Sequence, residues 1–544
     1  MTLLRIRQLT VGPEDAAPLV QHVNLSVEKG ETLAIVGESG SGKSLTMLSV
    51  PGLLPPGIRA QGSVTLNGQS LLDLPASQLR ALRGSHIGYI SQDPLSNLHP
   101  LKSIGRQIEE AILAHHKVPR RALQARVLAL LEEVGIRDAA RRYHDRPARF
   151  SGGMRQRVMI AIAIALNPSL IIADEPTTAL DATVQASILQ LLKRLQQQHG
   201  CALVFISHDL RVVADIADRI AVMQQGKVVE QGPAQLLFRA PQHPYTRSLL
   251  QAGHIPLKTY DLAGAKPLLQ VEDLARQFRQ QRLFGRSGHI HTVLDGISFT
   301  LHAGEIVGLV GESGSGKTTL GRTLVGLDAP DRGQIDLNGA TWLRAGGALP
   351  DWHHPQRHLV QMVFQDPYSS LNPRRRLSDT LAEPLQIRAG QRDGKPLSAA
   401  ALANAVDQLL QTVELAPELR HRYPAQLSGG QRQRVAIARA LALEPQIIVA
   451  DEAVSALDIT TQQRIVQLLL RLRAERGLAI LFISHDLAAV AALCDRVMVL
   501  QDGRIIEQGL TAQVFTAPQQ PWTQALLNAL PGQHRERDYG AASA

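Results

Sequence analysis

The chain has 544 residues, 44% hydrophobic and 19% charged, with a formal net charge of +9 and two cysteines. Such a composition builds globular domains with sizeable cores, and at roughly 100–200 residues per domain the length predicts about three or four units. It excludes a disulfide scaffold, since Cys201 and Cys494 lie far apart in apolar stretches and read as buried thiols, and no apolar run approaches the roughly 20 residues of a spanning helix.

The opening MTLLRIRQLT is too briefly apolar, and with Arg5 and Arg7 too basic, to read as a secretion signal. An apolar strand, ETLAIVG, then enters 37–44, GESGSGKS, which fits the G-x-x-x-x-G-K-[ST] loop that cradles phosphate between a strand and a helix. In that pattern Gly37, Glu38, Ser39, Gly40, Ser41 and Gly42 form a nest of backbone N–H groups, Lys43 reaches the β- and γ-phosphates, and Ser44 holds Mg²⁺. Gln92 follows in SQDPLSNLHP, and an Arg- and Leu-rich stretch without strand signals predicts a helical subdomain over about 93–150. Its basic run 137–146 reads as a solvated face, and the net positive charge as a dispersed surface property with no nucleic acid expected. Ser151, Gly152 and Gly153 open a helix in FSGGMRQRV, the apolar strand SLIIAD ends at Asp174 before Glu175, and a later strand ends in ISHD with His208. From Val184, apolar residues at Ile188, Leu191 and Leu195 mark one face of a helix.

The same order then returns at an offset of about 275 residues. The second loop is Gly311, Glu312, Ser313, Gly314, Ser315, Gly316, Lys317 and Thr318, followed by Gln365, then Ser428, Gly429, Gly430 and Gln431, then Asp451 and Glu452, then His485. This is a whole domain written twice. The predicted boundaries are 1–252 and 268–531, with a linker at 253–267, a second helical subdomain at about 366–427 and a polar tail at 532–544. Alternating short strands and amphipathic helices predict an α/β fold, each half a mixed or largely parallel sheet core.

Phosphoryl transfer to water needs a held metal, a positioned water and charge stabilisation. Asp174 and Asp451 are the expected further Mg²⁺ contacts, and Glu175 and Glu452 are placed to orient the water and take its proton. The competing reading is an acidic pair capping the next helix. A lone His ending a strand is more often structural, but two in the same register, His208 and His485, read as γ-phosphate sensors. Gln92 and Gln365 are candidates to reach the metal or the water. The serine–glycine strings can bind phosphate from a second direction, which predicts halves facing head to tail, the first loop meeting 428–431 and the second 151–154.

These motifs, in this order through both halves, resemble the ATPase subunits of ABC transporters. The resemblance implies two tandem ABC ATPase domains, with 37–44 and 311–318 as Walker A, Asp174 and Asp451 as Walker B aspartates, Glu175 and Glu452 as catalytic glutamates, Asp181 and Asp458 in the D-loops, and His208 and His485 as switch histidines. The endings HPYTRSLL and QPWTQALL, with QDPYSSLNP, are similar to the dipeptide/oligopeptide/nickel importer branch, whose fused forms include microcin C and glutathione types. The implied function is an ATP-hydrolysing importer motor at the cytoplasmic face of the bacterial inner membrane, served by two integral membrane permeases and an extracytoplasmic solute-binding protein. The branch's adenine-stacking aromatic is matched by Phe278 in the second half and by nothing in LTVGPEDAAP, which predicts weaker nucleotide affinity at the first site. No cysteine follows His243 until Cys494, so the iron–sulfur cluster of some members is not expected. Ala453 and Met154 depart from the family pattern without removing a catalytic group. His115, His116, His289, His291, His353 and His354 read as loop histidines, not a metal set. The alternative is a ribosome-acting tandem ATPase of the ABC-F translation-factor type, whose long charged linker the short, sparsely charged 255–266 does not resemble.

Overall fold

The apolar runs that precede the two loops are uniformly buried because each becomes an inner strand of a parallel sheet covered on both faces. The computed structural model describes residues 1–251, 264–279 and 290–529, apart from 179, 352–353 and 455–456. Most of the predicted linker, His289, His353 and the tail 532–544 lie outside the described residues. What is described falls into two compact units, 1–251 and 264–528.

In the first unit a six-stranded sheet runs in the order Lys227–Pro233, Arg219–Gln224, Thr32–Val36, Ala202–Ser207, Leu170–Asp174, Ile87–Ile90. All its pairings are parallel except the Lys227–Pro233 edge. Side chains alternate between two cores: Ala34, Val36, Ile171, Ala173, Leu203 and Phe205 face one, and Leu33, Ile35, Leu170, Ile172, Val204 and Ile206 the other. That alternation is the period-two signature of a strand buried on both sides. The second core is closed by a separate four-stranded antiparallel sheet, Val20–Glu28, Thr2–Pro13, Ile58–Leu66, Gln69–Ser70, which the alternating strand–helix pattern did not predict. Its strands are hairpin-linked or distant in sequence, so no local period announces them.

Between Ile90 and Leu170 the chain forms helices joined by turns, with no strand among the described residues, and helices Ile104–Leu113, Arg120–Glu133 and Gly152–Ile164 are the main members. The first core runs continuously from the parallel sheet into these helices and on to Ala182–His199, whose Ile188, Leu191 and Leu195 are buried as their spacing requires. It also takes in Tyr245 and Leu249 of the C-terminal helix Pro244–Gln251.

The second unit repeats the plan. Its six-stranded sheet is Val360–Val363, Ile447–Asp451, Ala479–Ile483, Ile306–Val310, Arg496–Gln501, Arg504–Leu510, and its four-stranded sheet begins with Pro267–Arg279 and Ile290–His302. Helices Leu377–Asp393, Ala399–Thr412 and Gly429–Leu441 form its helical part, and Ile465, Leu468, Leu469 and Leu472 are buried on Ile459–Arg476. One expectation is corrected here: His291 lies in a strand, not a loop, because it pairs with Phe278 across the antiparallel sheet. Both cysteines are buried free thiols.

Candidate functional site

Four parallel strands with the same polarity deliver their C-terminal ends to one edge of each sheet, and ligands of open α/β sheets bind at such an edge. In the first unit those ends release 37–44, His208, Asp174 with Glu175, and Gln92. The helix Lys43–Leu48 begins at Gly42, which holds φ 95°, and Gly316, at φ 107°, does the same for Lys317–Leu324. Only glycine adopts that backbone without strain, so the N–H groups of the loop can turn inward. Lys43 Nζ donates to Gly37 O at 2.7 Å and Glu38 O at 2.8 Å, and Lys317 Nζ donates to Gly311 O and Glu312 O, both at 2.7 Å. Ser41 and Ser315 have buried hydroxyls without a hydrogen-bond partner among the described residues. An orphaned buried hydroxyl in each loop, beside a lysine folded against its own turn, fits a phosphate as the missing partner.

Ser44 Oγ donates to Asp174 Oδ1 at 2.9 Å, and Thr318 Oγ1 to Asp451 Oδ1 at 3.3 Å. Each is a hydroxyl–carboxylate pair of hard oxygens, the donor set suited to Mg²⁺. Burial pushes both aspartates upward. Asp451 is pushed up to about 6 against the hydrogen bond from Thr318, and Asp174 upward against those from Tyr89 and Ser44. Tyr89 OH donates to Asp174 Oδ2 at 2.8 Å, a contact the sequence reading missed; Met362 occupies the corresponding place.

The next residue in each half carries the densest cluster. Gln92 Nε2 donates to Glu175 Oε2 at 3.1 Å, His208 Nδ1 lies 3.0 Å from the same oxygen, and Thr178 Oγ1 donates to it at 3.0 Å. In the second unit Gln365 Nε2 donates to Glu452 Oε2 at 2.7 Å and His485 Nδ1 lies 3.4 Å from Glu452 Oε1. Glu175 and Glu452 both hold positive φ, 45° and 47°. A non-glycine residue there is strained by about 1–3 kcal/mol, which the sheet and the cluster must offset. Burial alone would raise the glutamates and lower the histidines, but the mutual bond and charge of each pair outweigh it. Both glutamates sit below the ordinary carboxylate range and both histidines above theirs.

The serine–glycine strings stand on the helical part of each unit. Ser151 Oγ caps its helix by accepting Met154 N–H at 3.4 Å; Ser428 Oγ accepts Gln431 N–H at 3.3 Å, and Gln431 Oε1 accepts Ser428 N–H at 3.0 Å. A Cβ at Gly153 would lie 2.3 Å from Val184 Cγ1, and one at Gly430 2.3 Å from Thr461 Cγ2, so close helix packing demands glycine at both. Asp181 and Asp458 cap the helices that follow the clusters. The helix-capping role considered for the Asp–Glu pairs thus belongs to these later aspartates. Phe278 is 44% exposed, with the Arg276 guanidinium 4.9 Å over its ring. Among the described residues no histidine, cysteine and carboxylate grouping has metal-binding geometry. His354 instead accepts from Gln356 N–H, and its ring meets Trp342 edge-on.

Compared with known proteins, the chain matches the family described as ABC transporter over 20–178 and 294–455. The chain belongs to the ABC transporter ATPases. The region described as oligopeptide/dipeptide transporter, C-terminal, also matches twice, over 229–280 and 506–543. The ABC transporter ATP-binding protein YejF of Escherichia coli strain K12 is 46% identical, over 97% of this chain and 99% of that one. The peptidoglycan transport ATP-binding protein YejF of Agrobacterium fabrum is 44% identical over 97% and 96%. The glutathione import ATP-binding protein GsiA of Salmonella choleraesuis is 43% identical over 95% and 88%. This chain is therefore a tandem ABC transport ATPase that binds and hydrolyses ATP, and the translation-factor alternative finds no support in these relatives. No helix among the described residues is long and apolar enough to cross a membrane.

Proposed function

We propose that the chain is the motor of an importer for peptides or related small solutes, docked on two permease subunits at the cytoplasmic face of the bacterial inner membrane and supplied by an extracytoplasmic solute-binding protein. The observation that carries this reading is the oligopeptide/dipeptide transporter region present in both halves, each copy following a complete Glu–His–Gln cluster. The peptidoglycan and glutathione transport named for its relatives supports the same class of cargo.

Mg²⁺, when bound, would supply the positive charge that offsets charge developing in phosphoryl transfer. The Ser44–Asp174 and Thr318–Asp451 pairs are the residues that would hold it, with Gln92 and Gln365 beside them. Residues 37–44 and 311–318 bind the triphosphate through loop N–H groups and lysines. Glu175 and Glu452, held ionised by their histidines, orient the attacking water and accept its proton, while His208 and His485 report on the γ-phosphate. Ser151, Gly152 and Gly153, and Ser428, Gly429, Gly430 and Gln431, open helices whose N–H groups bind phosphate. Phe278 stacks adenine at the second site.

The test is ATP turnover by a Glu175→Gln, Glu452→Gln double variant. It should lose turnover while still binding ATP in a closed form, and full turnover would overturn the assigned base. Cargo class is tested in proteoliposomes carrying the chain with its permease and solute-binding partners, where short peptides should raise ATP hydrolysis more than amino acids do.

A further inference from the structure

The segments HPYTRSLL and QPWTQALL take no part in the hydrolysis just described, yet the first of them reaches the phosphate loop. In the first unit Glu230 fixes the approach to helix Pro244–Gln251, accepting the N–H of Gln242 at 2.8 Å and of His243 at 3.0 Å. His243 Nδ1 then accepts the Tyr245 N–H at 3.2 Å, and the Tyr245 ring is 8% exposed against the sheet-to-helix core. From that seat the Tyr245 hydroxyl accepts the N–H of Glu38 at 3.0 Å. This N–H belongs to the same peptide unit whose carbonyl, Gly37 O, accepts Lys43 Nζ at 2.7 Å. One amide is therefore gripped at both ends, and hydrogen bonds at the two ends of an amide polarise and strengthen each other.

The second unit keeps the glutamate and the lysine of this arrangement, with Gln520 in place of His243. Glu507 accepts the N–H groups of Gln519 and Gln520 at 2.8 and 3.1 Å, and Gly311 O accepts Lys317 Nζ at 2.7 Å. Trp522 stands where the first unit has Tyr245. An indole can donate but has no oxygen to accept the Glu312 N–H.

We propose that Tyr245 is a positioning residue for the first nucleotide site. Its hydroxyl latches the C-terminal helix to the peptide that holds Lys43, so that nucleotide binding at 37–44 and the seating of Pro244–Gln251 are coupled. At the second site Trp522 offers no hydroxyl for such a latch. The inference rests on reading 37–44 as an ATP site. Linkage makes it reciprocal: if the seated helix favours the binding-ready loop, bound nucleotide must stabilise or shift the helix in turn.

The experiment uses the full chain carrying Lys317→Ala, so that the first loop dominates binding, with and without Tyr245→Phe, which keeps the ring and its packing. A fluorescent ATP analogue should bind about 3–10-fold more weakly to the Tyr245→Phe form, the range for loss of one hydrogen bond. Hydrogen exchange across 244–251 should respond to ATP in the parent and not in Tyr245→Phe. In the mirror background, Lys43→Ala, exchange across 521–528 should not respond. Binding within twofold of the parent, together with an unchanged ATP response in 244–251, would overturn the latch. A lowered melting temperature with that response intact would leave Tyr245 a packing residue and overturn it equally. Absence of any ATP binding by the Lys317→Ala parent would instead remove the ATP-site reading on which the latch depends.

Discussion

The two halves of this chain place the same glutamate, histidine and glutamine at the same strand ends, but they brace those groups differently. In the first half a tyrosine hydroxyl holds the second oxygen of Asp174 and another holds the phosphate loop, whereas Met362 and Trp522 stand in those places in the second. The signature serine differs too, since Gln431 closes a capping box on Ser428 and Met154 has no group to do so for Ser151. The groups assigned to chemistry are common to both halves, and the divergence lies in the side chains that buttress them. Two copies of one site can in this way keep the same reaction and differ in how firmly each is prepared for it.

The largest effect should come from removing the proposed bases one at a time. Loss of a general base costs roughly 10²–10⁴-fold, so Glu175→Gln and Glu452→Gln measured separately ask whether the halves are interchangeable. Equal losses in ATP turnover would mean that the differing braces do not matter to the chemical step. Next, if Phe278 stacks adenine at the second site alone, a Lys317→Ala chain should bind ATP several-fold more weakly than a Lys43→Ala chain, on the scale of about 1 kcal/mol for an aromatic stacking contact. Equal residual affinities in a binding titration would count against the asymmetry.

A shift of similar size, about 3–10-fold for one hydrogen bond, is expected in the Mg²⁺ concentration that supports half-maximal nucleotide binding at the first site of Tyr89→Phe. Met362→Tyr should move the second site the opposite way. Smallest is a pH effect shared by the halves. Burial raises Glu230 and Glu507, but their threonine and backbone N–H partners outweigh it, so both fall below the ordinary value. A carboxylate depressed by folding stabilises above its unfolded pKa of about 4.5, and that contribution fades as pH drops through the folded value. Both C-terminal helices should therefore loosen in acid, and Glu230→Gln should remove the pH dependence in the first alone, as read by exchange across 244–251.

Much of this was legible in the sequence because its motifs are local. A glycine loop, a strand ending in Asp–Glu and a serine opening a helix each carry their geometry in a few consecutive residues, and the duplication repeats them in register. Tyr89 was not legible, because its partner Asp174 lies on the neighbouring strand and only the pairing of Tyr89 with Ile172 brings the two together. Tyr245 was harder still, since 207 residues separate it from Glu38. The antiparallel sheets escaped in part for a related reason: Thr2–Pro13 pairs with Ile58–Leu66, and Pro267–Arg279 with Arg332–Leu337, across long stretches of chain, where composition alone does not specify register.

The left-handed backbone at Glu175 and Glu452 governs how these sites can be interrogated. Glutamine keeps both the shape of the side chain and the torsional burden, so a glutamine variant reports on the charge alone. Glycine at either position would relax the main chain while deleting the acid. Such a variant is expected to melt later than its parent yet do no work, so thermal robustness is a misleading guide to competence wherever a chain has bent itself to aim a side chain.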